Sequence, residues 1–174
     1  MFANTGHGYV GAQTTVVRMS QETRTDTTAA TGTRLADWQA GVVGGLAGGA
    51  AMGVMITMLM PPVIEMAIPA LYGLQGGLAG WIVHMIHSAV LGVVFAAIAS
   101  TTSIGTGIGR SAVAGLVYGI VLWAVLAALV MPIWLGTLGF PGAPPFPNFA
   151  LPGSLPPHAV YGVLVGAIVP LLGN

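Results

Sequence analysis

Leu78 to Ser100 reads LAGWIVHMIHSAVLGVVFAAIAS. The run carries no charge and covers the roughly 30 Å hydrocarbon core of a bilayer at a helical rise of about 1.5 Å per residue. A soluble protein would have to bury such a helix on every side, and this chain has too little polar surface to do so. Charged residues make up 5% and apolar residues 55%, with a mean hydropathy of +0.89; ordinary soluble domains carry about a quarter charged residues. The expectation is an all-α integral membrane protein.

Three further apolar runs extend this reading to four transmembrane helices. Trp38 to Met60 is uncharged, with Asp37 placed as an N-cap, Trp38 as an interfacial aromatic and Pro61-Pro62 as a stop. A third span is expected from about Ser111 to Leu135, interrupted near Pro132, and a short fourth from about Pro157 to Leu172. Between the spans, residues 61–77 are apolar but broken by Pro and Gly, which predicts a segment packed on the helices. Residues 101–109 read as a small polar turn, and the proline-rich residues 136–157 as irregular chain. Residues 1–36, rich in Thr, Gly and Ser, show no period that could bury a face and are expected to be a disordered cytoplasmic tail. No apolar core precedes a small-residue cleavage site, so no cleaved leader is expected, and Met19 is an alternative start. Residues 37–174 then form a four-helix transmembrane domain.

All four basic residues are arginines: Arg18, Arg24 and Arg34 precede the first span, and Arg110 lies between the second and third. Two crossings separate the groups, so both fall on one side, and the positive-inside rule makes that side the cytoplasm. The expected placement is a multi-pass protein of the plasma membrane with both termini cytoplasmic. Zero net charge and the lack of a basic patch exclude nucleic acid as a partner. The absence of cysteine removes disulfides, thiolate metal sites and cysteine nucleophiles.

Without a gap, residues 41–100 align with residues 111–170. Gly45, Leu46 and Gly49 fall on Gly115, Leu116 and Gly119, Pro62 on Pro132, and Ala89-Val90 and Gly92-Val93 on Ala159-Val160 and Gly162-Val163. This predicts two tandem two-helix repeats related by an axis along the membrane normal. His158 then corresponds to Ser88 and His84 to Ser154, which would turn His84 and His158 toward a common axis about one turn apart. Gly41, Gly45, Gly49 and Gly53 recur every four residues, and Gly115/Gly119 and Gly162/Gly166 repeat the spacing. Such stripes let helix backbones approach closely, within one bundle, in a homo-oligomer or against other membrane subunits.

Ionisable residues inside a span are functional candidates. His84, His87 and His158 sit toward the outer ends of their helices, and paired imidazoles on neighbouring helices can ligate haem b. Against haem stands the lack of any arginine or lysine near them for the propionates. Copper is the second option, with Met85, Met55 and Met58 as thioether ligands beside the histidines; methionine as an apolar gap-filler is the plainer account. Histidines that hydrogen-bond across helices, or to carbonyls freed by proline, are the structural account. Proton handling or quinone contact remains, with Glu65 as an acid partner. Neither a nucleotide loop nor a hydrolase triad is present, so an enzyme is not expected.

The segments WIVHMIHSAVLGVVFA, GLVYGIVLW and PPHAVYGVLVGAIV, the last two separated by a proline-rich stretch, resemble a family of small four-span haloarchaeal membrane proteins of unknown function. Some members bear the label histidine kinase. The lysine-free composition agrees with such an origin, but a kinase needs a soluble ATP-binding domain that this chain has no room for. The function expected from the residues is a non-catalytic subunit of a larger respiratory or electron-transfer membrane complex, with a small transporter or channel on the repeat axis as the alternative. Mid-bilayer polar residues, which a transport path needs, are sparse; Thr57 is the one in the first span.

Overall fold

A computed structural model of the chain describes Met1 and residues 34–173. Most of the expected tail, Met19 included, lies outside the described residues. Four helices are each long and apolar enough to cross a membrane: α1 (Asp37–Leu59), α2 (Gly77–Thr101), α3 (Ile108–Thr137) and α4 (Leu151–Leu172). No strand occurs among the described residues. The protein is an all-helical bundle compatible with a multi-pass membrane protein.

The helix ends follow from local chemistry, in places differently from the sequence reading. Ala36, not Asp37, is the N-cap of α1, and the Gln39 side chain caps it by accepting the Ala36 N–H at 3.1 Å. Asp37 falls in the first turn, where a carboxylate complements the helix dipole. Arg34 and Leu35 are not free tail: the Leu35 N–H donates to the Leu172 carbonyl at 2.8 Å and Arg34 Nη1 to the Gly173 carbonyl at 3.2 Å, fixing the start of α1 to the end of α4. At the far end of α1, Met60 leaves the helix (φ −145°, ψ 61°) because Pro61 disfavours helical backbone before it.

Residues 61–76 form a π-helical turn, Val63–Ala67, and a short helical turn, Ile68–Ala70, with Ile64, Ala67, Ile68 and Pro69 buried against the bundle. Helix α3 does not break at Pro132. Its stretch Trp123–Val130 winds as a π-helix, and the chain then continues helically to Thr137. The wider turn absorbs the N–H that proline lacks. Helix α4 begins at Leu151, six residues before the expected start, because Pro152 falls in a first turn whose N–H groups have no partner in any helix. Pro156 and Pro157 are carried inside it.

Glycines set the packing. On α1, a Cβ at Gly41, Gly45, Gly49 or Gly53 would meet α2, at Gly92, Ser88 and the ring of Trp81; at Gly44 and Gly48 it would meet Val169 and Tyr161 of α4. One helix thus turns two glycine faces to two partners. Gly115 and Gly119 of α3 lie on the Gly162 and His158 carbonyls of α4, and Gly166 on the Ser111 carbonyl. Helix α1 therefore lies between α2 and α4, and α3 lies on the other side of α4. Helices α2 and α3 meet mainly where the Tyr118 hydroxyl donates to the Leu91 carbonyl at 2.8 Å and its ring packs on Phe95.

The packing predicts that Gly45→Ala, which would drive a methyl into the Ser88 carbonyl, lowers stability in detergent by about 1–3 kcal/mol. Gly136→Ala, with nothing within 4 Å, should be neutral or slightly stabilising. Equal effects in a chemical unfolding series would contradict the packing.

Candidate functional site

Because α2 and α3 part beyond Tyr118, the half of the bundle away from Arg34 and Arg110 holds a cavity of about 840 Å³. Every span contributes to its wall: Met52 and Ile56 of α1, Val90 and Leu91 of α2, Leu122 and Leu126 of α3, and Tyr161 of α4. The connections before α2 and before α4 close it, through Met66 and Tyr72 on one side and Phe140 and Asn148 on the other. Among the described residues no Arg, Lys, Asp or Glu lines it.

Proline chemistry helps build this roof. Pro132 cannot donate to the turn before it, and the Ala128 carbonyl instead accepts the Asn148 N–H at 2.9 Å, pinning the second connection onto α3. Across the bundle, Trp134 Nε1 donates to the Leu71 carbonyl at 3.0 Å and ties α3 to the first connection.

All three histidines among the described residues line the cavity, each with one ring nitrogen engaged. His84 is buried, and its Nε2 donates to the Gly49 carbonyl of α1 at 2.9 Å. His158 Nδ1 donates to the Ser154 carbonyl one turn back on α4 at 2.8 Å. His87 is half-buried, with Nε2 and the Tyr72 hydroxyl 2.6 Å apart. Tyr161, buried on the face of α4 that carries His158, donates its hydroxyl to the Ser88 carbonyl at 2.7 Å. The sequence reading passed over Tyr161 and Tyr72. The signal for Tyr161 was its place three residues after His158, on the same helix face.

The methionines sort differently from the copper reading. Met52, Met60, Met66 and Met131 line the cavity, whereas Met55, Met58 and Met85 do not, and Met58 is 77% exposed on the outside. Glu65 is exposed and also outside the lining. Among the described residues no group of three or more His, Asp or Glu is gathered closely enough to hold a metal ion. Haem b would need two facing imidazole nitrogens and cations for its propionates. His84 and His158 each keep one ring nitrogen free, but among the described residues no cation lines the wall to meet the propionates, so the residues present do not fit it.

No protein-family model, curated protein or solved structure matches this chain. The functional reading rests on the geometry.

The histidine geometry predicts that protein extracted gently from its native membrane shows no Soret band, oxidised or dithionite-reduced. A band that shifts on reduction and disappears in His158→Ala would restore haem b. His84→Ala, which removes a buried cross-helix hydrogen bond, should cost about 1 kcal/mol or more of stability in detergent, and His87→Ala less.

Proposed function

We propose that this chain is a non-catalytic plasma-membrane protein, both termini cytoplasmic, that holds a neutral and largely apolar molecule drawn from the bilayer, as a subunit of a larger membrane assembly. The observation that carries this reading is the uncharged cavity and the place where it opens. Val90 of α2 and Val130 of α3 line the cavity and are 57% and 47% exposed, although both lie on spans. The reading is that the gap between α2 and α3 faces lipid, so that a molecule can pass sideways from bilayer to cavity without crossing water. An uncharged apolar chamber with a few polar groups is the usual form of a small-molecule site.

The proposal includes two tandem repeats, about 41–100 and 111–170, for which the glycine contacts give support. Gly41 and Gly45 approach Gly92 and Ser88 as Gly115 and Gly119 approach Gly162 and His158. The second helices keep the ungapped register, while the first helices are offset from it by one helical turn. His84 and Ser88 of α2 then face the cavity as Ser154 and His158 of α4 do.

One observation favours a second reading, a small transporter. A cavity of about 500 Å³ lies at the other end of the bundle, lined by Arg34, Asp37, Ser100, Thr102 and Thr106. Along α2 the two linings stop at Leu91 and resume at Ala96, and along α4 they stop at Tyr161 and resume at Val169. Phe95 and Val165, both fully buried, fill the interval. The Thr57 hydroxyl is spent on the Gly53 carbonyl of its own helix at 2.8 Å, so it adds no polar step to a path.

In nanodiscs, a neutral monoglyceride is expected to raise the unfolding temperature, by about 2.7 kcal/mol of stabilisation at a hundredfold excess over its dissociation constant. A fatty-acid anion of equal chain length should do much less, and Ala127→Trp, which fills the cavity, should abolish the effect. Equal stabilisation by the anion, or no loss in Ala127→Trp, would contradict the reading. Flux of the monoglyceride across proteoliposomes, raised in Phe95→Ala, would favour the transporter.

A further inference from the structure

The hydrogen bonds already made inside the cavity determine what it has left to offer. A carbonyl oxygen only accepts, so the His84 nitrogen bonded to Gly49, Nε2, carries the hydrogen, and the neutral ring keeps its lone pair on Nδ1. The same logic fixes the opposite tautomer at His158, where Nδ1 carries the hydrogen toward Ser154 and the lone pair is on Nε2. Neither remaining nitrogen has a partner among the described residues, and neither is a sealed-off polar atom. Both are reachable, and both residues line the cavity. The Tyr161 hydroxyl has spent its hydrogen on the Ser88 carbonyl, which leaves an oxygen lone pair. The Ser88 and Ser154 hydroxyls can serve in either sense.

Apart from the Asn148 amide and the His87–Tyr72 pair of the roof, the unspent capacity of the wall is mostly acceptor capacity, and among the described residues it has no cation to attract an anion and no carboxylate to attract a cation. We infer that the cavity selects a lipid whose head group is a neutral hydrogen-bond donor, a hydroxyl on an apolar body, its one hydrogen donated to His84 Nδ1 or His158 Nε2. Ketones, esters and ethers of the same shape bring only further acceptors and would leave both nitrogens unpaired in an apolar chamber. This inference rests on the reading that the cavity binds a molecule from the bilayer, and it narrows the class.

The test compares a long-chain para-alkylphenol with its methyl ether, nearly identical in size but without the donor. Dissociation constants come from the concentration dependence of unfolding of the full chain in nanodiscs. The phenol is expected to bind about tenfold tighter or more, the worth of one hydrogen bond to a group otherwise left unpaired. In the double variant His84→Phe/His158→Phe that preference should shrink toward parity. Equal binding of phenol and ether by the unmodified chain would overturn the donor inference and leave the cavity reading standing. Binding of neither would overturn both. A full preference retained in the double variant would remove the histidines as the acceptors and overturn the assignment.

Discussion

Backbone-to-backbone contact between glycine-lined helices is the constraint on which this structure depends. In lipid, apolar side chains gain nothing by leaving one hydrocarbon surface for another, so spans associate through close van der Waals contact. Helix α1 meets that demand twice, with Gly41, Gly45, Gly49 and Gly53 toward α2 and Gly44 and Gly48 toward α4. Because α1 and α4 are so tightly engaged, and α3 leans on α4 in the same manner, α2 and α3 are held at opposite ends of the packing order. The Tyr118 contact to Leu91 and Phe95 closes the gap between them on the side of Arg110. The cavity beyond it is what remains.

Proline works on the same geometry from above. Each proline in a helix leaves a carbonyl without its usual donor, and in a bilayer such a group needs a partner within the protein. The Ala128 carbonyl finds the Asn148 N–H, and that bond draws the second connection over the mouth of the bundle. Trp134 and Leu71 bring the first connection to the same place. The histidines belong to this economy as well, since His84 and His158 each give one hydrogen to a backbone carbonyl. What they keep, a lone pair each, gives the chamber its chemical character.

Much of the fold was legible because long uncharged runs have one stable form in a membrane. The four spans, the packed segment after Pro61-Pro62 and the spacing of Gly41, Gly45, Gly49 and Gly53 could all be read from residue type and period. The misreadings concern proline and caps. Pro152, Pro156 and Pro157 looked like irregular chain, yet helix α4 starts at Leu151: Pro152 sits in a first turn that does not need the N–H proline lacks, and Pro156 and Pro157 are carried inside the helix. Pro132 looked like a break, yet the π-helical stretch before it carries the helix past. The site was less legible than the fold. Periodicity placed His84 and His158 near one level but could not say which ring nitrogen each would spend, and that depends on the Gly49 and Ser154 carbonyls. It could not separate Met52, which faces the cavity, from Met58, which faces outward, since a step of three residues drifts around the helix.

On the proposed reading, the cavity of about 840 Å³ is continuous with the lipid between α2 and α3. The chain has no cysteine, so a single one at Ala127, in the cavity wall, can carry a nitroxide label in nanodiscs without competition. Collision rates with oxygen, which concentrates in hydrocarbon, and with a water-soluble nickel chelate then report what fills the space around the label. The account predicts frequent collisions with oxygen and few with the chelate. Frequent collisions with the chelate would mean an aqueous vestibule and would contradict it, as would a label shielded from both.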